Sequence, residues 1–405
     1  MYTGPKLITE SLAFGFDTGY GVADKHTSTI FYKGEPATNL KSGTQTSGIL
    51  NGMSGVSLAH VGEEDGYQKY SMNGTFSGGS YPYIMRLASQ SFTGGVKYST
   101  QAKVKTNVPN KFNYFGSNGV SYVNQPMDHS GTLSSTLQDD GCYLVKREGF
   151  AYTSTTSQSG YLWTNPVNNT TFDSSTDFVF IKDMQIEQND HCTPHTTSSR
   201  GNNDSLIDLT RTRDIQIDNS SFDSTCQPIL DGTGDDIDLG ADVDFASDRE
   251  EWTVESVVKY SSVAGAYNNT TSPANFIGAD SIQHNSWYWS VLGGYLAIWN
   301  ISPGVWKYGS TAIQADTWYH VVLTVGPGGT SYQMYLNGVA EGGTHVGYDF
   351  NAEYSGLRVR YFGRGSQGNR RNVDGHIAVT RIYQKRLTAA EVKQNFDAYK
   401  NRFNI

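Results

Sequence analysis

Residues 226–240 read CQPILDGTGDDIDLG, and this stretch decides how the chain folds. An apolar run ending at Leu230 gives way to a turn rich in Gly and Asp. A second run follows, in which Ile237 and Leu239 alternate with Asp236 and Asp238. A period of two marks a strand with one buried and one wet face, and Asp-Gly is turn chemistry. The aspartates invite a chemical reading. The simpler expectation is that Asp231, Gly232 and Gly234 make the turn while Ile237 and Leu239 point into a core. The stretch also marks a boundary: connection rich in Asn, Ser and Thr precedes it, and a long series of regular strands follows.

The whole chain has the composition that such a reading needs. Its 405 residues include 44 Gly and 26 Tyr, and only 17% are charged. That balance suits short strands and tight turns, and the length exceeds one ordinary domain. A net charge of -9 without a basic cluster in the sequence argues against nucleic acid and anionic membrane as partners, and favours a glycan or protein surface. Cys142, Cys192 and Cys226 are odd in number and widely spaced, without a CxxC pair, so they read as small packing residues. No apolar run reaches about 18 residues, so no membrane insertion is expected. The opening MYTGPKLITE lacks an export-type apolar core, so synthesis without secretion is expected.

Working outward from residues 226–240, the chain divides into three parts. Residues 1–44 form a short arm. In it Leu12, Phe14 and Phe16 alternate with small residues, and a second apolar island holds Phe31 and Tyr32. A lone strand is unstable in water and must pair with something. Either it completes the edge of a later sandwich, or it docks on another subunit through Leu12, Phe14, Phe16, Phe31 and Tyr32. Residues 45–200 carry strands near 81–88, 95–106, 111–115, 141–148 and 177–187. The last has Phe178, Phe180, Met184 and Ile186 in alternation with a slip near Lys182 that reads as a bulge. Residues 201–405 begin with a strand at Ile215 and Ile217. They continue through EWTVESVVKY (251–260), a hairpin turning at Gly293-Gly294, WYHVVLTV (318–325), a second tight turn at Asn337-Gly338, and GHIAVTRIY (375–383). One helix closes the chain: Thr388 and Glu391 form a capping box, Leu387 and Val392 a staple, and Val392, Phe396 and Tyr399 share a face. The expected fold is all-β: two antiparallel jelly-roll sandwiches in tandem, a short N-terminal arm and one C-terminal amphipathic helix.

Two stretches carry a resemblance to known families. Residues 178–200, with Ile181, Lys182, Asp183, Gln185, Glu187, Thr193, Pro194 and Arg200, resemble the closing strand and exit loop of carbohydrate-binding-module-like sandwiches that recur in phage structural proteins. Residues 231–240, 252–259, 318–325, 332–339 and 374–403 resemble, in order and spacing, the concanavalin A-like or laminin-G/pentraxin-like jelly roll. Phage virion proteins with such a tandem are the overall likeness. This resemblance implies a capsid decoration, head-fibre or tail-appendage protein on the virion surface, made in the host cytoplasm. It also implies contacts with other capsid or tail proteins and a homo-oligomer, with a trimer favoured. A free or cell-surface lectin is the second reading and a glycan hydrolase the third.

The residues favour binding over catalysis. Glycosidases need two carboxylates flanking the bond, about 5 Å apart in retaining enzymes. The nearest imitation, Asp235-Asp236 with Asp238, lies at a turn and lacks the following Glu, so no catalytic residue is assigned and the chain is expected not to be an enzyme. Histidines stand singly, His320 reads as a structural strand residue, and Asp235 and Asp236 are too few oxygens for Ca²⁺, so no metal or cofactor is assigned. Sugars offer flat C–H faces to aromatic rings and hydroxyls to amides. Residues 284–306 therefore supply the candidate ligand-binding set Trp287, Trp289, Trp299, Trp306, Asn285 and Asn300, with core packing as the plain alternative for part of the cluster.

Overall fold

The computed structural model describes residues 6–20, 34–40, 55–78, 83–114, 131–138, 140–163, 165–223, 225–244, 251–263, 275–278, 287–300, 305–327, 331–346, 358–363 and 373–405. The fold is all-β, with antiparallel sheets and, among the described residues, a single long helix, Ala389–Phe403. The chain forms two compact units. One combines residues 1–36 with 201–405, and the other is residues 37–200, inserted between them in the chain. Among the described residues no helix is long and apolar enough to cross a membrane.

The unit containing the C-terminus is a two-sheet sandwich. One sheet runs in the order Ser221–Phe222, Pro228–Asp231, Asp374–Tyr383, Trp252–Tyr260, Trp318–Val325, Ser331–Leu336, Val339–Val346. The opposite sheet runs Gln216–Asp218, Asp236–Asp244, Arg358–Phe362, Asn275–Gly278, Trp287–Leu292, Tyr295–Asn300, Val305–Ala312. Residues 226–240 therefore do not form a hairpin. Leu230 pairs with Gly375 in the first sheet and Ile237 with Phe362 in the second, so the Gly-Asp turn is an arch carrying the chain across the core. Leu230, Ile237 and Leu239 are all buried in that core. Both expected hairpin turns are present, with Gly293-Gly294 and Asn337-Gly338 all at positive φ, as tight two-residue loops require. At the far edge Glu341 ties the sheets together. Its carboxylate accepts from the backbone N–H of Ser310 (2.6 Å) and Thr311 (2.8 Å) and from the Thr311 hydroxyl (2.7 Å).

The N-terminal strand belongs to this sandwich, which favours the first of the two readings of the arm, an edge strand of a later sandwich, and corrects the docking role for Leu12, Phe14 and Phe16. Leu12–Asp17 pairs antiparallel with Asp374–Tyr383. Phe14 and Phe16 are fully buried, and both contact the Phe362 ring of the opposite sheet, at 6.3 and 6.0 Å between centroids. Leu12 packs beside Tyr383, Leu387 and Val392. The physical reason is that an alternating strand with two large rings gains most where a sandwich edge and a core vacancy accept both its backbone and its rings. Arg402 then clamps the strand's end, donating to both Asp17 oxygens at 2.7 and 2.5 Å and also to the Tyr20 carbonyl. Phe31 and Tyr32 lie outside the described residues.

The C-terminal helix lies on the outer face of the sheet it shares with this strand. Its capping box forms as expected: Thr388 Oγ1 accepts from Glu391 N, and Glu391 Oε2 accepts from Thr388 N at 2.8 Å. The buried stripe is Val392, Asn395, Tyr399 and Phe403, so a polar Asn takes the place expected for Phe396. With sandwich core on one side and helix on the other, all eight residues of Trp318–Val325 are buried.

The second unit, residues 37–200, is built on one large sheet in the order Thr171–Phe172, Tyr67–Thr75, Phe178–Glu187, Lys97–Thr106, Tyr143–Ala151, Thr132–Leu137, with Val56–Glu64 paired to Tyr67–Thr75. Tyr83–Phe92 pairs with Thr156–Trp163, and Ala37–Thr38 with Ser199–Arg200 where the chain enters and leaves. The slip near Lys182 is a bulge: the register shifts between Lys182 and Gln185, and Asp183 has a φ of 54°. Val179, Ile181, Met184 and Ile186 face the core, which leaves Phe178, Phe180, Lys182, Gln185 and Glu187 on the outer face. This corrects the expectation that Phe178 and Phe180 share a face with Met184 and Ile186: the extra residue of the bulge shifts the alternation by one, so the inward positions change from odd to even across Asp183.

Candidate functional site

Several residue groups marked by the sequence lie among the described residues. Under the helix, Glu255 is buried and collects four partners. Asn395 Nδ2 donates to it at 2.9 Å and the Tyr383 hydroxyl at 3.0 Å, while Arg381 Nη1 and His320 Nε2 each stand at 3.4 Å. Burial alone pushes the carboxyl up, but the bonds and charges of His320, Arg381 and Asn395 outweigh it and hold Glu255 below its usual range. His320 is thus a structural strand residue joining sheet to helix.

The acidic stretch makes turns and anchors. Asp235 Oδ2 accepts from Asp231 N at 2.8 Å, and Asp231 Oδ1 accepts from Thr233 N at 2.7 Å. Burial pushes Asp235 up to about 6, only partly offset by that backbone bond. Asp238 is held in a fork by Arg360, at 3.0 Å from Nε and 3.3 Å from Nη2, and also accepts from Gly240 N at 2.9 Å. A carboxylate engaged on both oxygens by a guanidinium is a fixed anchor, not a free nucleophile or proton shuttle. All three cysteines are buried.

The aromatic stretch divides. Trp289 is fully buried in the core beside Val291, Leu296 and Ile298, which removes it from the candidate ligand set. Its place follows from pairing with Ile298, another core residue. Trp287, Trp299, Asn300 and Trp306 lie on paired strands, with Trp299 opposite both Tyr288 and Trp306 in register, but their side chains fall outside the described set. Asn285 lies outside the described residues. Two tyrosines that the sequence reading did not select are exposed here. Tyr308 is 46% exposed opposite Ala297, and Tyr295 is 37% exposed at the hairpin end. Because Leu296 and Ile298 point inward, Tyr295 and Ala297 face outward, and Tyr308 shares their side.

In the second unit the residues of the closing-strand motif form a clasp. Gln185, Glu187 and Thr193 are buried together. Glu187 accepts from Thr193 N (2.8 Å), the Thr193 hydroxyl (2.7 Å) and Gln185 Nε2 (2.9 Å), while Gln185 Oε1 accepts from Thr196 N (2.7 Å). Arg200 Nη1 donates to the Pro194 carbonyl at 3.2 Å. The exit segment is thereby pinned over the second half of Phe178–Glu187. The first half of that outer face carries Tyr67, Phe178 and Phe180 under lysine side chains, a grouping with no counterpart in the linear sequence.

Comparison with known proteins fits the architecture of the C-terminal unit. Residues 231–393 match a family model described as the concanavalin A-like lectin/glucanases superfamily. Over those residues the C-terminal unit is similar to a concanavalin A-like domain. A search of curated proteins gave no match. Among solved structures, the binding domain of botulinum neurotoxin DC in complex with rat synaptotagmin II is similar at 12% identity and a TM-score of 0.37, covering 49% of this chain and 50% of that one. Domain 4 of AbnA, a GH43 extracellular arabinanase from Geobacillus stearothermophilus, solved with arabinotriose, is similar at 18% identity and a TM-score of 0.35, covering 47% of this chain and 91% of that one. The CBM40 of the Ruminococcus gnavus IT-sialidase, bound to alpha2,3 sialyllactose, is similar at 12% identity and a TM-score of 0.29, covering 36% of this chain and 82% of that one. The chain spans about half the length of the first of these structures.

Proposed function

We propose that this chain is a non-enzymatic adhesion protein that holds glycans on its sandwich surfaces, displayed on a phage particle as a capsid decoration, head fibre or tail appendage. The observation that carries the glycan part is the pair of exposed tyrosines, Tyr295 and Tyr308, on the outer side of a sheet within the residues matching the lectin/glucanase family. An exposed phenol ring offers a stacking face and a hydroxyl together, which is what a sugar requires. Binding is preferred to hydrolysis because Asp238, the best-placed carboxylate of the acidic stretch, is engaged by Arg360. The particle setting rests on the likeness of residues 178–200 and 374–403 to phage structural proteins. With Leu12, Phe14 and Phe16 committed to the sandwich, attachment to capsid or tail proteins uses some other surface.

A glycan array probed with the full chain tests the reading. Binding to at least one neutral glycan, weakened at least about fivefold (roughly 1 kcal/mol) by Tyr308→Ala, is the expected result. No binding against a positive control overturns it, and release of reducing ends by the wild type restores the hydrolase. Immunogold labelling of purified particles separates the virion component from a free or cell-surface lectin, and light scattering tests the expected homo-oligomer, a trimer first.

A further inference from the structure

We infer that the outer face of the second unit is a binding site for an acidic polysaccharide, one whose sugar rings carry carboxylate or sulfate groups. The site is assembled by register. Phe180 stands between Lys69 on one neighbouring strand and Lys105 on the other, and Lys182 stands opposite Lys103. The ammonium groups and rings alternate across the face. Lys69 Nζ lies 4.1 Å from the Phe178 centroid and 5.6 Å from Phe180; Lys105 Nζ lies 5.4 Å from Phe180 and 4.3 Å from Tyr67; Lys182 Nζ lies 4.4 Å from Tyr67.

The charges on this face are unequally matched. Lys69 pairs with Glu64 at 2.7 Å and Lys103 with Asp183 at 3.3 Å. Lys105 and Lys182 have no carboxylate within 4.0 Å among the described residues, although both lean on one ring. The nearby acid, Asp140, attracts Lys182 from beyond ion-pair distance, and its own oxygens are occupied: Oδ2 accepts from the Tyr67 hydroxyl at 2.8 Å and Oδ1 from Cys142 N at 3.2 Å. Two cations around one aromatic ring repel each other, and an anion placed between them relieves that repulsion. The rings already fix the ammonium positions through cation–π contact, so little side-chain freedom is lost when an anion binds. Half-buried Phe178 adds an apolar edge for a sugar face. The protein's net charge of -9 opposes long-range attraction of polyanions, so the affinity must come from this local geometry.

The polysaccharide class rests on the glycan reading above, and the experiment keeps the two apart. The full chain is titrated with polygalacturonate, dextran sulfate, neutral dextran and single-stranded DNA. Binding to either acidic polysaccharide is expected, with the carboxylate and sulfate arms identifying the group preferred. Lys105→Gln with Lys182→Gln should weaken it at least about tenfold, the Lys→Arg pair should retain it, and Lys307→Gln on the other unit should leave it unchanged. Lack of binding to both acidic polymers, no loss in the double variant, an equal loss in the Lys307 variant, or equal affinity for DNA each overturns the assignment. Neutral-glycan binding that depends on Tyr308 can survive any of these results, and acidic binding that depends on Lys105 and Lys182 can survive its loss.

Discussion

Two outer sheet faces in this molecule, one in each unit, begin from similar material and end differently. Beneath the C-terminal helix, the sheet presents Glu255, His320, Arg381 and Tyr383, and the helix adds Asn395. On the second unit the sheet presents Tyr67, Phe178 and Phe180 with four lysines. Both faces mix rings with charge. The first is closed, and a charge closed off from water must find a full set of partners or the fold loses several kcal/mol. The second is left half open, and its ammonium groups keep donors to spare. Satisfied charge makes a joint, whereas under-matched charge in reach of solvent makes a place for a ligand.

The closed face is most sharply tested at its N-terminal seal. Ile8 donates its N–H to Asn395 Oδ1 at 2.9 Å, and Phe14 and Phe16 lie in the core behind the same sheet. Deleting residues 1–20 should prevent the C-terminal unit from folding, because each Phe lost from a core costs about 3–5 kcal/mol. Tryptophan fluorescence reports this directly, since six of the seven tryptophans lie beyond residue 250 and only Trp163 lies in the inserted unit. A truncated chain with native emission and an unchanged melt would restore the docking-arm reading.

Next in size is Glu255→Ala. Removing one member of a buried charge network strands the others, here Arg381 first, and should cost about 3–5 kcal/mol in urea titration. The pH dependence has a definite sign. Because the folded pKa of Glu255 lies below its usual value, its stabilisation is complete above the unfolded value of about 4.3 and is lost as pH falls through the folded one. Wild-type stability should therefore fall below roughly pH 4 more steeply than that of Glu255→Gln. Equal slopes would remove Glu255 from the acid response.

Most of the fold was legible because its signals are local. The bulge at Lys182, the two tight hairpins and the capping box at Thr388 each need only a few consecutive residues, and all are present. The alternation expected over 178–187 is not kept, because the bulge swaps the faces and sets Phe178 and Phe180 on the face opposite Met184 and Ile186. The hairpin between Val56–Glu64 and Tyr67–Thr75 was missed despite a local signal, Asp65-Gly66, both at positive φ. The rest was not local. The partner of Leu12–Asp17 lies more than 350 residues away, and nothing in CQPILDGTGDDIDLG distinguishes an arch between sheets from a hairpin within one. Asn395 was invisible because its partner, Glu255, comes from a strand far away in sequence. The lysine face exists only once three strands fall into register, so a sequence without a basic cluster can still carry one.

The clasp of the inserted unit offers an intermediate case. Glu187→Ala leaves Thr193 N, its hydroxyl and Gln185 Nε2 without their shared acceptor in a buried setting. The expected cost is about 2–3 kcal/mol, with proteolysis in residues 188–198 rising before the sheet itself opens. If the exit segment stays protected, the motif that marks this strand is not what pins the segment.

The smallest effect on stability is expected where the largest effect on binding is proposed. Lys105→Gln with Lys182→Gln removes two half-exposed cations that lack carboxylate partners among the described residues, and should change the melt by no more than about 0.5 kcal/mol. The sign matters as much as the size. Each lysine loses a cation–π contact worth about 0.5–1 kcal/mol at exposed sites, but the pair also loses its mutual repulsion across Tyr67. A small gain in stability would mean the wild type holds a strained charge arrangement, as binding faces do when function and stability compete. A loss above about 2 kcal/mol would mean that the lysine stems serve as cover for Tyr67 and Phe180. The open face would then be a second closed one, and the contrast between the two units would disappear.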